Sequence, residues 1–93
     1  MIKNFASKET EKLFNREVPK RIPKDIQQVS RRKLEILDAT EVLQDLRIPP
    51  SNHLEKLSGD RKGQYSIRIN KQYRICFNWR DGDVYNVEIV DYH

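Results

Sequence analysis

The stretch "QYRICFNWRDGDVYNVEIVDYH", residues 72–93, decides the fold, because its apolar residues recur at every second position on both sides of an Asp-Gly turn. Tyr73, Ile75, Phe77 and Trp79 fall on one side of the first run, with Arg74, Cys76 and Asn78 on the other. In the second run Tyr85, Val87 and Ile89 share a side, and Asn86 and Glu88 oppose them. Such alternation predicts antiparallel strands with one packed face and one polar face. Just upstream, "QYSIRI" (residues 64–69) repeats the pattern, with Tyr65, Ile67 and Ile69 inward and Ser66 and Arg68 outward. Three strands in a row predict a meander.

Register follows from keeping the apolar side chains on one face, since a one-residue slip would turn them all to water. A two-residue Asp81-Gly82 turn would set Phe77 opposite Asn86, whereas a three-residue loop from Arg80 to Gly82 sets Phe77 opposite Tyr85 and Ile75 opposite Val87. The second arrangement is expected, and it puts Arg74 opposite Glu88 and Lys71 opposite Asp91. Across residues 70–72 the same reasoning pairs Ile67 with Ile75 and Arg68 with Arg74.

The preceding half reads as helical. "MIKNF" suits a short first strand, after which Ser7 offers an N-cap with Glu9 and Glu11 in the favourable first turn of a helix ending near Phe14. Pro19 and Pro23 interrupt it. From Pro23 a longer helix is predicted, with Ile26, Val29, Leu34, Ile36 and Leu37 over an arc of roughly 160°. Lys33 lies inside that arc as a stem laid on apolar surface with a wet ammonium. "DATEVLQDL" predicts a third short helix, and "RIPPSN" ends helical structure. Helices followed by an antiparallel meander define an α+β fold of one domain spanning residues 1–93, with the helices on the apolar face and the polar face open.

Composition narrows the function classes. A net charge of +4 and a pI near 9.3 point to polyanions or to an acidic protein partner. Between Lys56 and Arg80 there are seven Lys or Arg residues against one acid, Asp60, while residues 81–93 hold four acids and no Lys or Arg. The cations therefore concentrate on the central strands and the loop before them. The single cysteine, Cys76, excludes an internal disulfide and a multi-cysteine metal site and reads as a buried thiol. No metal or other cofactor is expected. No apolar run approaches the roughly 20 residues that span a bilayer, and "MIKNFASKET" lacks the apolar core of a signal peptide, so a cytoplasmic protein without membrane contact is expected.

The chemistry concentrates at the terminus. Two guanidinium groups opposite each other, Arg68 and Arg74, repel on a sheet face, and either Glu88 or a bound phosphate would relieve them. The last strand runs beside Arg74 into Asp91, Tyr92 and His93. Histidine exchanges protons near neutral pH, tyrosine can stack on a base, and aspartate can orient a neighbour. Acid-base groups beside clustered cations suit metal-free RNA cleavage, in which a 2′-hydroxyl attacks the adjacent phosphate. The loop "PPSNHLEKLSGDRKG" (residues 49–63) adds His53, Lys56, Arg61 and Lys62 as further phosphate-facing candidates, with Lys71 beyond it.

These residues carry a resemblance over nearly the whole chain: "MIKNF", "RRKLEILDAT", "IPPSNHLEKLSGDRKGQYSIRIN", "QYRICFNW" and the terminal "VEIVDYH". The sequence resembles the HigB-type toxins of the RelE/ParE superfamily. The resemblance implies a RelE-like fold and a ribosome-dependent messenger-RNA endonuclease that cuts in the decoding site and halts translation. It also implies a HigA-type helix-turn-helix antitoxin, and operator DNA contacted only through that antitoxin. Matched by position, the family's site residues fall on Arg74, Asp91, Tyr92 and His93. In its loop the family carries a histidine and, three residues on, a lysine, where this chain has Glu55 and Ser58; His53 and Lys56 stand two residues away. That departure resembles the milder GraT branch. The ParE branch of the same fold, which acts without enzymatic cleavage, is the alternative, as is a basic module that only receives an acidic partner segment.

Overall fold

The computed structural model describes residues 1–92. It comprises α1 (Lys8–Phe14), α2 (Lys24–Ala39), β1 (Glu55–Lys56), β2 (Gln64–Arg68), β3 (Tyr73–Arg80) and β4 (Asp83–Asp91). The four strands form one antiparallel sheet in the order β1-β2-β3-β4. Both helices pack on one face, which is the α+β arrangement that the switch from helical to two-residue periodicity predicts.

The start of α1 is set by Ser7, whose hydroxyl accepts from the Thr10 amide at 3.2 Å. Thr10 is itself buried, and its hydroxyl accepts from the Ile89 amide at 3.0 Å, tying α1 to β4. At the other end Arg31 donates from Nε to the Leu13 carbonyl at 3.1 Å, a cation at a helix C-terminus. In α2 the buried residues are Ile26, Ser30, Leu34 and Leu37, so the packed stripe is narrower than the expected arc. Ile36 lies outside it at 44% exposure, and Val29 is only partly buried.

Two expected elements shrink. The first strand is reduced to isolated parallel bridges, Ile2 with Val84 and Phe5 with Val87, which close the free edge of β4. The third helix does not form: α2 already takes Asp38 and Ala39, and Thr40 ends it in extended conformation with its hydroxyl on the Ile36 carbonyl at 2.7 Å. A 3₁₀ turn, Leu43–Arg47, stands in its place and inserts Leu46 into the core. Helical structure does not stop there, since short 3₁₀ turns recur at Pro50–Asn52 and Gly59–Arg61.

Register is as expected between β2 and β3, including Ile67 opposite Ile75 and Arg68 opposite Arg74. Between β3 and β4 it differs. Arg80 pairs with Asp83 across a two-residue turn in which Asp81 and Gly82 have φ of 53° and 82°, the left-handed conformations a tight hairpin needs. That turn brings Val84 inward and sends Tyr85 out to the polar face opposite Asn78. An irregularity opposite Phe77 then restores the alternation: Asn86, at φ 54°, is the extra residue, and Val87 and Ile89 return to the core side. Beyond it Cys76 faces Glu88, Arg74 faces Val90 and Tyr73 faces Asp91, so the expected Arg74–Glu88 and Lys71–Asp91 pairings do not occur.

The core joins Leu13, Ile26, Leu34, Leu37 and Leu46 to Ile67, Ile75, Phe77, Val84 and Val87. Tyr73 and Trp79 pack against its rim, and Tyr65 stacks on Phe77 with ring centroids 6.2 Å apart. No helix among the described residues is long and apolar enough to cross a membrane.

Candidate active site

Strand alternation assembles the site on the face away from the helices. Arg74 and Cys76 of β3 share that face with Ser66 and Arg68 of β2 and with Glu88 of β4. The face was expected to be open, yet Ser66 and Cys76 are fully buried and Arg74 is 7% exposed. The cause is the segment 53–64, whose backbone and side chains reach the sheet face through Arg74 and Glu88.

Arg74 is held on three sides. Its Nε donates to Ser66 Oγ at 2.7 Å, and its Nη2 donates to the His53 carbonyl and, at 3.5 Å, to that of Ser66. Nη1 faces the Glu55 carboxylate at 4.0 Å, and the Tyr92 ring centroid lies 5.7 Å from the guanidinium carbon. A guanidinium locked by a hydroxyl and backbone carbonyls is held in a fixed orientation for an incoming anion. His53 adopts a left-handed backbone, φ 43° and ψ 58°, and that turn delivers its carbonyl to Arg74 while its side chain stays exposed.

The other predicted residues divide. Arg68 sits opposite Arg74, and its Nε donates to the Asn70 carbonyl at 3.0 Å, with Glu88 engaged elsewhere. Glu88 instead pairs with Arg61 at 2.8 Å, and Arg61 also donates to Gln64 Oε1 at 3.0 Å. Lys62 is exposed just past that turn. Lys71, exposed in the β2–β3 turn, borders a groove of about 430 Å³ together with Arg68 and Lys33. Lys33 donates to the buried Asn52 side chain, and partial burial pushes its pKa down.

Lys56 is not brought to the cluster: it pairs with Tyr65, so it alternates away from Arg74 and lines a separate pocket of about 230 Å³ with Leu43 and Arg47. Its neighbour Glu55 pairs with Ser66 and takes the place beside Arg74. Asp91 likewise alternates away, pairing with Tyr73, and its carboxylate accepts from Gln72 Nε2 at 3.0 Å. Tyr92 is held by its amide, which donates to the Gln72 carbonyl at 2.6 Å, so the ladder runs to the edge of the described chain. His93 lies outside the described residues. Sequence reasoning missed Glu55 and Ser66 as partners of Arg74; the first depends on a two-residue strand at 55–56, which leaves no periodic signal in the sequence. Among the described residues no group of three or more His, Cys, Asp or Glu is arranged to hold a metal ion.

Cys76 lies at the centre of this face, and burial pushes its thiol pKa above the ordinary 9.0. The unfolded chain therefore ionises first as pH rises. The stability that the buried thiol contributes, read as the difference between wild type and Cys76→Ala, is full below 9.0 and is lost as pH climbs through the folded pKa. A thiol-alkylating reagent should leave Cys76 unmodified in the native protein and label it in denaturant; fast native labelling would show that segment 53–64 swings off the sheet.

A four-stranded antiparallel sheet backed by two helices, with a clamped arginine on the face away from them, defines a small RelE-like α+β domain. A chain of the heterotetrameric YoeB-YefM toxin-antitoxin complex from Staphylococcus aureus shares this fold, at a TM-score of 0.57 and 18% identity over 100% of this chain and 98% of that one. Residues 3–93 match the family described as HigB-like toxin, the RelE-like toxin of the type II toxin-antitoxin system HigB, and the chain belongs to that family. It is 55% identical over 65 residues to Toxin HigB-1 of Vibrio cholerae, covering 70% of this chain and 68% of the relative. It is 35% identical to the Endoribonuclease HigB of Proteus vulgaris over 94 aligned positions, the full length of both.

Proposed function

We propose that this toxin is a ribosome-dependent messenger-RNA endonuclease that arrests translation by metal-free cleavage in the decoding site. The observation that carries the reading is the Arg74 guanidinium, fixed by Ser66 and the His53 carbonyl beneath the Tyr92 ring. The full-length relative named an endoribonuclease supports it.

In this reading the 2′-oxygen bonds to the neighbouring phosphorus, the bond from phosphorus to the 5′-oxygen breaks, and a proton passes from the 2′-hydroxyl to the leaving oxygen. Arg74 stabilises the negative charge that builds on the phosphate, where a fixed donor is worth more than a mobile one. Tyr92 stacks on a base or positions it, and His93 exchanges the proton. Glu55, 4.0 Å from Arg74, is a second acceptor available to the 2′-hydroxyl. Arg68, Lys71, Arg61 and Lys62 line the approach of the RNA backbone, with His53 beside them and Lys56 at its margin. Asp91 acts from the opposite face by holding the β3–β4 end through Gln72. The ribosome supplies alignment, which can lower a barrier by several kcal/mol, so naked RNA is a poor substrate. A HigA-type helix-turn-helix antitoxin neutralises the toxin and alone carries the complex to operator DNA.

The test is cleavage of a defined messenger RNA by the isolated chain, with and without programmed ribosomes. Cuts confined to the ribosome-bound message are expected. Translation arrest without any cut would instead support a non-enzymatic inhibitor on the same fold.

A further inference from the structure

At the far end of the same sheet face, where the β3–β4 hairpin closes, Asn4, Asn78, Trp79, Arg80, Tyr85 and Asn86 surround a cavity of about 470 Å³. Its construction depends on the departures from regular pairing described above. The tight turn sends Tyr85 to the polar face, where the Arg80 guanidinium carbon lies 4.8 Å from its ring centroid. The extra residue, Asn86, donates from its side-chain Nδ2 to Asn78 Oδ1 at 3.0 Å, while its amide is taken by Asn4 Oδ1 at 2.6 Å. Asn78 is committed within the protein on both sides of its amide, since its oxygen also accepts from Gln64 and its nitrogen donates to the Gly63 carbonyl.

Several groups around the cavity remain unused. Among the described residues, the Asn86 side-chain oxygen, the Asn4 side-chain nitrogen, the Trp79 indole N–H and the Tyr85 hydroxyl make no hydrogen bond within the protein, and Arg80 enters none of the ion pairs. A flat cation laid over an aromatic ring, bordered by an amide acceptor and an amide donor, matches an unpaired nucleobase: a π-face to stack on and an edge to read. A phosphate site would need converging cations, and here there is one. Arg80 follows Arg74 by six residues on the same strand and face, roughly 20 Å at strand rise.

We infer that this cavity is a second nucleobase subsite, which stacks an RNA base several nucleotides away from the scissile phosphate on the Arg80–Tyr85 pair and reads its edge with Asn86 and Asn4. The inference rests on the proposed RNA cleavage and gives it a reason to favour particular flanking bases.

Trp79 is the only tryptophan and lines the cavity, so its emission reports occupancy directly. The full chain is titrated with a single-stranded RNA nonamer, with a backbone of the same length lacking bases, and with an acidic peptide. Saturable quenching by the RNA is expected, weakened about tenfold in Tyr85→Ala, as for loss of a stacking ring. Arg80→Gln, an exposed change that leaves the core intact, is expected to weaken it several-fold. Equal binding of the base-free backbone, unchanged affinity in Arg80→Gln, or stronger quenching by the peptide would each overturn the subsite. Ribosome-dependent cleavage, measured in parallel, separates the two ideas: cleavage without Trp79 quenching removes the subsite and leaves the nuclease, whereas quenching without cleavage removes the nuclease and keeps an RNA site.

Discussion

Arg74→Ala is expected to lower cleavage of ribosome-bound messenger RNA by at least about 100-fold, the scale of losing one preorganised charge-stabilising donor. Arg74→Lys should fall nearly as far. Lysine keeps the charge but has no planar fork, so it cannot hold Ser66 Oγ and the His53 carbonyl while presenting a further N–H to an anion. Removing the guanidinium also leaves buried acceptors unpaired, at a cost of about 1–3 kcal/mol. Far-ultraviolet circular dichroism and a urea midpoint are therefore needed beside the rate. A variant that folds and still cuts at near wild-type rate would contradict the role given to Arg74.

Phe77→Ala is expected to reduce unfolding free energy by about 3–5 kcal/mol. Phe77 is fully buried, stacks on Tyr65, and faces β4 at the irregularity where Asn86 is inserted. Small domains hold only about 5–15 kcal/mol in total, so the variant would lose a large share of its stability. The expected readout is a lower urea midpoint at unchanged slope. A loss below about 1 kcal/mol would mean that the sheet and α2 collapse into the space left behind, against the cavity cost expected of a close-packed core.

The first two helices and the β2–β3 register were legible because each rests on a local signal: a serine cap at Ser7, a helical apolar stripe, and alternation that fixes one face. The β3–β4 hairpin was misread for a definable reason. Keeping Tyr85 inward favoured a three-residue loop, whereas the chain uses the tight Asp81-Gly82 turn and recovers its alternation by letting Asn86 adopt a positive φ. Asp-Gly is the dipeptide that favours that turn, and asparagine tolerates the left-handed region, so the signal was present but outweighed. The consequence reached the site. A total shift of two residues moved Glu88 from Arg74 to Arg61, and placed Asp91 opposite Tyr73. The nearness of Tyr92 to Arg74 was legible from strand parity and chain order, whereas the exchange of Lys56 for Glu55 beside Arg74 depends on β1, whose two residues are too short to leave a periodic trace.

The proposed cleavage takes place at the end of β4, against Arg74. Its most direct test is cleavage of a defined messenger RNA on programmed ribosomes by the intact chain and by a chain ending at Asp91, both shown to fold. Loss of the cuts in the shortened chain is the predicted result; equal cleavage by both would contradict it and move the reaction to the loop around His53 and Glu55.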